Sequence, residues 1–161
     1  MRLISFMHNN TACYGAVHGN KVLNLSPILG GDAPDLKTLI AKKMLAQAAE
    51  ALNHHAPDLV FEELHLLPVI PNPEKILCVG LNYHDHVKET GRDLTEKPAI
   101  FSRVSASQVG HGQAIMRPPE SHRLDYEGEI AIIIGQGGRR ISEADAWNHI
   151  AGYACYNDGS V

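Results

Sequence analysis

The chain has 161 residues, 44% of them hydrophobic and 20% charged, with a formal net charge of -4. That length and balance allow one sizeable buried core and exclude an intrinsically disordered chain. The acidic excess, with no Lys/Arg cluster interleaved with aromatics, excludes a nucleic-acid surface, and no apolar run is long enough to span a bilayer.

The opening MRLISFMHNN breaks into polar residues too early for the apolar core of a signal peptide, so the expected location is cytoplasmic. Cys13, Cys78 and Cys155 are odd in number and show no CxxC spacing, which favours reduced thiols packed as small core residues. The histidines show neither HExxH nor a His/Cys zinc pattern.

In chain order, RLISF, TACYGAV and KVLNL read as three strands of a meander, with a turn at His18-Gly19-Asn20. Leu36, Leu39, Ile40, Met44, Ala48 and Leu52 follow a period near 3.6, so Ala33 to His54 is expected to form one amphipathic helix with Pro34 at its start. LLPVIPNPE, residues 66 to 74, holds three prolines and suits a stiff connector. A boundary near residue 71 then separates a small N-terminal α/β domain, 1 to 70, from a second domain, 71 to 161.

KILCV (75 to 79) reads as a buried strand, and Asn82 is a good N-cap for a short helix through YHDHVKE. His86 and Glu89 would share one face of that helix at i and i+3, just past the carboxyl end of the strand, where catalytic groups are often placed. GRDLTEK (91 to 97) is polar and turn-rich, so with the His/Glu helix it is expected to act as a lid. A strand resumes at Pro98 to Phe101, followed by a Ser- and Gly-rich loop. GQGGRR lacks the GK[ST] of a phosphate loop and reads as a turn before a helix capped by Ser142-x-x-Asp145.

Between these lies LDYEGEIAIIIG, residues 124 to 135, built like a buried strand except for Glu127 and Glu129. At i and i+2 the two side chains leave the same face of a strand, about 6 to 7 Å apart. Such a pair can sit on the wet face of a half-exposed strand. Ala131 and Ile133 continue the same face, however, and turn it apolar as the wall of a recessed pocket would be. Neighbouring carboxylates in a pocket need a cation. GYACYND supplies a second apolar strand ending in Asp158, and three oxygen donors suit Mg²⁺, Mn²⁺ or Ca²⁺ rather than zinc.

Four segments, CVGLNYHDHVKE, PAIFSRVSASQVGHG, LDYEGEIAIIIG and AGYACYNDGSV, together resemble the fumarylacetoacetate hydrolase superfamily in order and spacing. The resemblance covers nearly all of the chain from residue 71 onward, with residues 1 to 70 only loosely similar to the family's variable N-terminal domain. It implies a mixed α+β fold in which the small N-terminal domain precedes part of a mixed β-roll catalytic domain, the protein being a homodimer holding Mg²⁺ or Mn²⁺. Glu127, Glu129 and Asp158 would be the metal ligands. His86 would activate water with Glu89 orienting it, and Arg103 would lie near the substrate.

The activity so implied is hydrolysis of a carbon-carbon bond in a 2,4-dioxo acid such as an acylpyruvate, with isomerisation, decarboxylation or hydration of a related 2-oxo acid as alternatives. Family members continue well past the position of Val161, so residues 71 to 161 are expected to be the first half of the catalytic domain. A catalytically inactive fragment serving as an oligomerisation or binding module is the alternative from outside enzymology.

Overall fold

The computed structural model describes residues 1–83, 87–88, 91 and 97–161. In it the alternating apolar residues of the first segment make β1 (Arg2–His8), β2 (Thr11–His18) and β3 (Lys21–Asn24), the meander expected from the sequence. Asn9 and Asn10, at φ 49 and 60, close the β1–β2 turn, because their short polar side chains tolerate the left-handed region that a two-residue hairpin loop demands. Two short strands that the sequence signals too weakly to find, β4 (Leu59–Val60) and β5 (His65–Leu66), complete an antiparallel sheet in the order β4-β3-β2-β1-β5.

Both faces of this sheet are covered. Tyr14, Ala16, Leu23 and Leu25 pack with Leu36, Leu39, Met44 and Ala48 from the helical segment, while Phe6, Val17, Val22 and Leu66 form a second cluster. Each fully buried large side chain contributes about 2 kcal/mol. The Tyr14 hydroxyl donates to the Ala33 carbonyl at 2.7 Å inside the first cluster. Burial, with the Asp35 carboxylate as the second cause, raises the Tyr14 pKa above its ordinary 10.0.

The helical segment corrects the expectation of one helix over Ala33 to His54. After a one-turn α1 (Ser26–Leu29) come two helices, α2 (Leu36–Ala41) and α3 (Leu45–His54). Pro34 lies outside them, and the Asp35 side chain caps α2 by accepting from the Thr38 N–H at 2.7 Å. The break is at Lys43, which sits in the left-handed region at φ 57. Lys43 N–H returns to the Ile40 carbonyl and Met44 N–H to that of Leu39, a C-terminal cap made without glycine. The left-handed residue costs about 1 kcal/mol. Burial of Met44 and Ala48 beyond the bend offsets it. Periodicity could not reveal this, since the apolar spacing runs on through the bend.

The chain divides into two compact units, Met1–Ile70 with Val109–Val161, and Pro71–Gln108. In the second unit β6 (Ile76–Gly80) pairs antiparallel with β7 (Ala99–Arg103). The strand expected to be buried is buried only at Cys78, while Leu77 is 64% exposed. Among the described residues β6 and β7 form a two-stranded sheet, which by itself can cover one face at most.

In the first unit, Val109–Gln113 is fastened to β5. Gly110 lies so close to the Leu66 carbonyl that a side chain there would overlap it. The Gln113 amide donates to that same carbonyl at 2.6 Å and stands 3.0 Å from His65 Nε2. The chain then forms β8 (Gly128–Ile134), a turn, a 3-10 helix (Glu143–His149) and β9 (Ile150–Asn157). The expected Ser142 cap is present, its hydroxyl oxygen accepting from the Asp145 N–H at 3.2 Å. Lys43 Nζ donates to Gln136 Oε1 in the turn at 3.1 Å. Among the described residues no helix is long and apolar enough to cross a membrane.

Candidate metal centre

β8 and β9 pair antiparallel with Gly128 opposite Asn157, Glu129 opposite Tyr156 and Ala131 opposite Ala154. An isolated bridge between Asp125 and Ser160 continues the same register past the strand ends. Glu127 therefore stands opposite Asp158. Residues opposite one another share a face, and that face repeats every second residue, so Glu127, Glu129 and Asp158 all belong to one face of the hairpin together with Tyr156, Ala131, Ala154 and Ile133.

The two faces differ in kind. Ala131 and Ile133 on the acid-bearing face are partly buried, whereas Ile130, Ile132 and Ile134 on the other are 73%, 54% and 61% exposed. The strand thus departs from the uniformly buried one expected, because the described residues cover it on one side only. Glu127 and Glu129 lie at its exposed end, while Asp158 is 3% exposed. A carboxylate so deeply buried calls for compensation by hydrogen bonds or a cation.

The backbone around Glu127 shows a feature that sequence reading missed. Asp158 N–H donates to the Glu127 carbonyl at 2.9 Å, but Glu127 N–H donates to the Asn157 side-chain oxygen, also at 2.9 Å. The only available signal was an Asn beside a candidate ligand, which is too common to single out.

As a donor set the three acids fit a hard divalent ion, being all oxygen, all anionic and displayed by two hydrogen-bonded segments on one face. Their side chains share that face without closing on one point, and among the described residues no group of three His, Cys, Asp or Glu is gathered tightly enough to hold an ion. Arg103 ends β7 opposite Ile76, in the other unit. His86 and Glu89, with most of the expected lid, lie outside the described residues. Of the cysteines, Cys78 is buried, Cys13 is half-buried against the second cluster and Cys155 is exposed, so the expectation of core thiols fails at Cys155.

Residues 75–161 match the model of the fumarylacetoacetate (FAA) hydrolase C-terminal domain. The mitochondrial oxaloacetate tautomerase fahd2 of Xenopus laevis is 38% identical over 122 residues, covering 76% of this chain and 38% of that protein. Among solved structures, the maleylpyruvate hydrolase of Sphingobium sp. SYK-6 in complex with manganese(II) and pyruvate superimposes with a TM-score of 0.80 at 25% identity, over 100% of this chain and 59% of that one. A fumarylacetoacetate hydrolase from Exiguobacterium antarcticum gives a TM-score of 0.72 at 27% identity, over 98% and 55% respectively. The chain therefore spans well under two thirds of the relatives it matches. With its mixed α and β architecture shared by these structures and more than half its length matched by one domain model, the chain belongs to the fumarylacetoacetate hydrolase family.

Proposed function

We propose that the protein is a divalent-metal-dependent enzyme acting on a 2-oxo acid, and that it cleaves the carbon-carbon bond of a 2,4-dioxo acid of the acylpyruvate type. The observation that carries this reading is the common face of Glu127, Glu129 and Asp158, set by the β8–β9 register. These three residues would hold Mg²⁺ or Mn²⁺, with manganese favoured as the ion present in the maleylpyruvate hydrolase structure. When bound, the ion supplies electrostatic stabilisation of the negative charge that grows on the 2-oxo oxygen as the bond breaks.

The remaining work falls to side chains. His86 would take a proton from water, and Glu89 would hold the imidazole in the right tautomer and support its positive charge. Water so activated adds to the distal carbonyl, the bond between that carbon and carbon 3 breaks to leave an enolate, and the His86 imidazolium returns its proton to carbon 3, giving pyruvate and a carboxylic acid. The Arg103 guanidinium would pair with the substrate carboxylate.

A second reading has its own support. The Xenopus relative, more similar in sequence than either hydrolase, is named an oxaloacetate tautomerase. Tautomerisation needs the same stabilised enolate but no attacking water, so the two reactions differ in what His86 does. The experiment is to supply the Mn²⁺-loaded protein with acetylpyruvate and, separately, with enol oxaloacetate. Pyruvate from acetylpyruvate, lost with a chelator and restored by Mn²⁺, is expected. Loss of the oxaloacetate enol band without cleavage of acetylpyruvate would replace hydrolysis by tautomerisation.

A further inference from the structure

We propose that Asn157 is a positioning residue for the metal-binding carboxylates, setting the separation of Glu127 from Asp158 through its hydrogen bond to the Glu127 backbone. The inference rests on the metal-site reading given above and concerns how the site is built. In an antiparallel ladder every second opposed pair exchanges two N–H···O bonds. Asp125 and Ser160 make such an exchange, at 2.9 and 3.2 Å. Two residues along the same register, Glu127 and Asp158 occupy the next position of that type.

There the exchange is only half made. Asp158 N–H reaches the Glu127 carbonyl at 2.9 Å, but Glu127 N–H is taken at 2.9 Å by Asn157 Oδ1. The Asn157 side-chain carbonyl takes the Glu127 N–H in place of a main-chain acceptor, while the Asp158 N–H bond to the Glu127 carbonyl still joins the two main chains. The two acids are consequently spaced by one ladder bond and one side-chain bond from Asn157. Glu127 is anchored to the residue immediately preceding Asp158, and any shift of one acid along the hairpin is passed to the other.

Backbone pairing lies on both sides of this position, as the β8–β9 ladder on one side and the isolated Asp125–Ser160 bridge on the other. The interruption therefore coincides with the opposed pair of acids rather than with a frayed end. Asn157 itself is exposed and belongs to neither buried cluster, so packing gives no reason for its identity.

The test compares Asn157→Leu, equal in size without an acceptor, with Asn157→Asp, which keeps an acceptor at the same reach. Mn²⁺ affinity is read by titration calorimetry, and unfolding of the metal-free protein by thermal melting. Loss of an outer-sphere partner typically weakens metal binding about 10- to 100-fold. Asn157→Leu is expected to fall in that range with an almost unchanged metal-free melting temperature, and Asn157→Asp is expected to bind within about threefold of wild type or more tightly.

Wild-type affinity in Asn157→Leu, with Glu127→Gln abolishing binding, overturns the positioning role and leaves the metal site standing. Equal losses in the Leu and Asp variants overturn the acceptor account. A metal-free melting temperature that falls in parallel with affinity shows a merely structural role. Failure of the wild type to bind Mn²⁺ at all overturns the metal-site reading and this inference with it.

Discussion

Gly110 rests directly on the carbonyl of Leu66, joining the segment that follows β7 to the edge strand of the N-terminal sheet. A Cβ at this position would overlap main-chain atoms, which cannot swing aside as a side-chain tip can. Gly110→Ala is accordingly expected to lower stability by about 1 to 3 kcal/mol, the range for an overpacked buried site. Denaturant unfolding checks it, and a cost below about 0.5 kcal/mol would show that the two segments separate freely.

Tyr14 gives a pH prediction. Its folded pKa is raised by burial, so the folded state retains the phenolic proton more strongly than the unfolded chain does. The contribution is whole below the unfolded value of 10.0 and is lost as pH rises through the folded value. Stability should therefore decline above pH 10, and Tyr14→Phe should remove that part of the decline. At neutral pH the same substitution leaves the Ala33 carbonyl without its 2.7 Å donor, costing about 1 to 3 kcal/mol. Melting curves of both proteins at neutral and alkaline pH separate the two effects.

Divalent metal should stabilise the fold, since an ion bound only by the folded state adds about 2.7 kcal/mol at a hundred times its dissociation constant. Mn²⁺ is expected to raise the wild-type melting temperature and to leave that of Glu127→Ala unmoved. Turnover should vanish in the same variant. A shift of equal size in both proteins would place the ion elsewhere.

The outer face of β8 carries Ile130, Ile132 and Ile134, with Tyr153 of β9 beside them at 57% exposure. Contiguous apolar surface of this kind adsorbs apolar dyes and promotes self-association. The 161-residue chain is expected to bind an environment-sensitive naphthalene dye while fully folded. Ile132→Ser should reduce that fluorescence and any concentration-dependent light scattering, with a stability change within about 0.5 kcal/mol. Unaltered dye binding in this variant would locate the adsorbing surface elsewhere.

The sequence was most readable where side-chain periodicity and turn chemistry agree. RLISF, TACYGAV and KVLNL became β1 to β3, and the Ser142 cap formed where Ser142-x-x-Asp145 stands. Period-two spacing also set Glu127 and Glu129 on one face, while the placement of Asp158 opposite Glu127 needed the register, which no local pattern carries. The bend at Lys43 was illegible because no Gly or Pro marks it. β4 and β5, two residues each, are made by tertiary pairing and leave almost no local trace. The exposure of Ile130, Ile132 and Ile134 reversed a hydropathy argument, since an apolar run reports what a strand can bury and not what lies beside it.

The one register shift between β8 and β9 falls between Ile133 and Ile134, at the end of the hairpin remote from the acids. Pairing by alternate residues makes a slip of one position exchange carboxylates for isoleucines along the whole strand. The irregularity is confined to the far end, so the pairing that continues to Glu127, Glu129 and Asp158 stays in phase. The phase of the acids is thereby insulated from the far end of the hairpin, so an inserted residue is expected to be better tolerated near the bulge than beside Glu127 and Asp158.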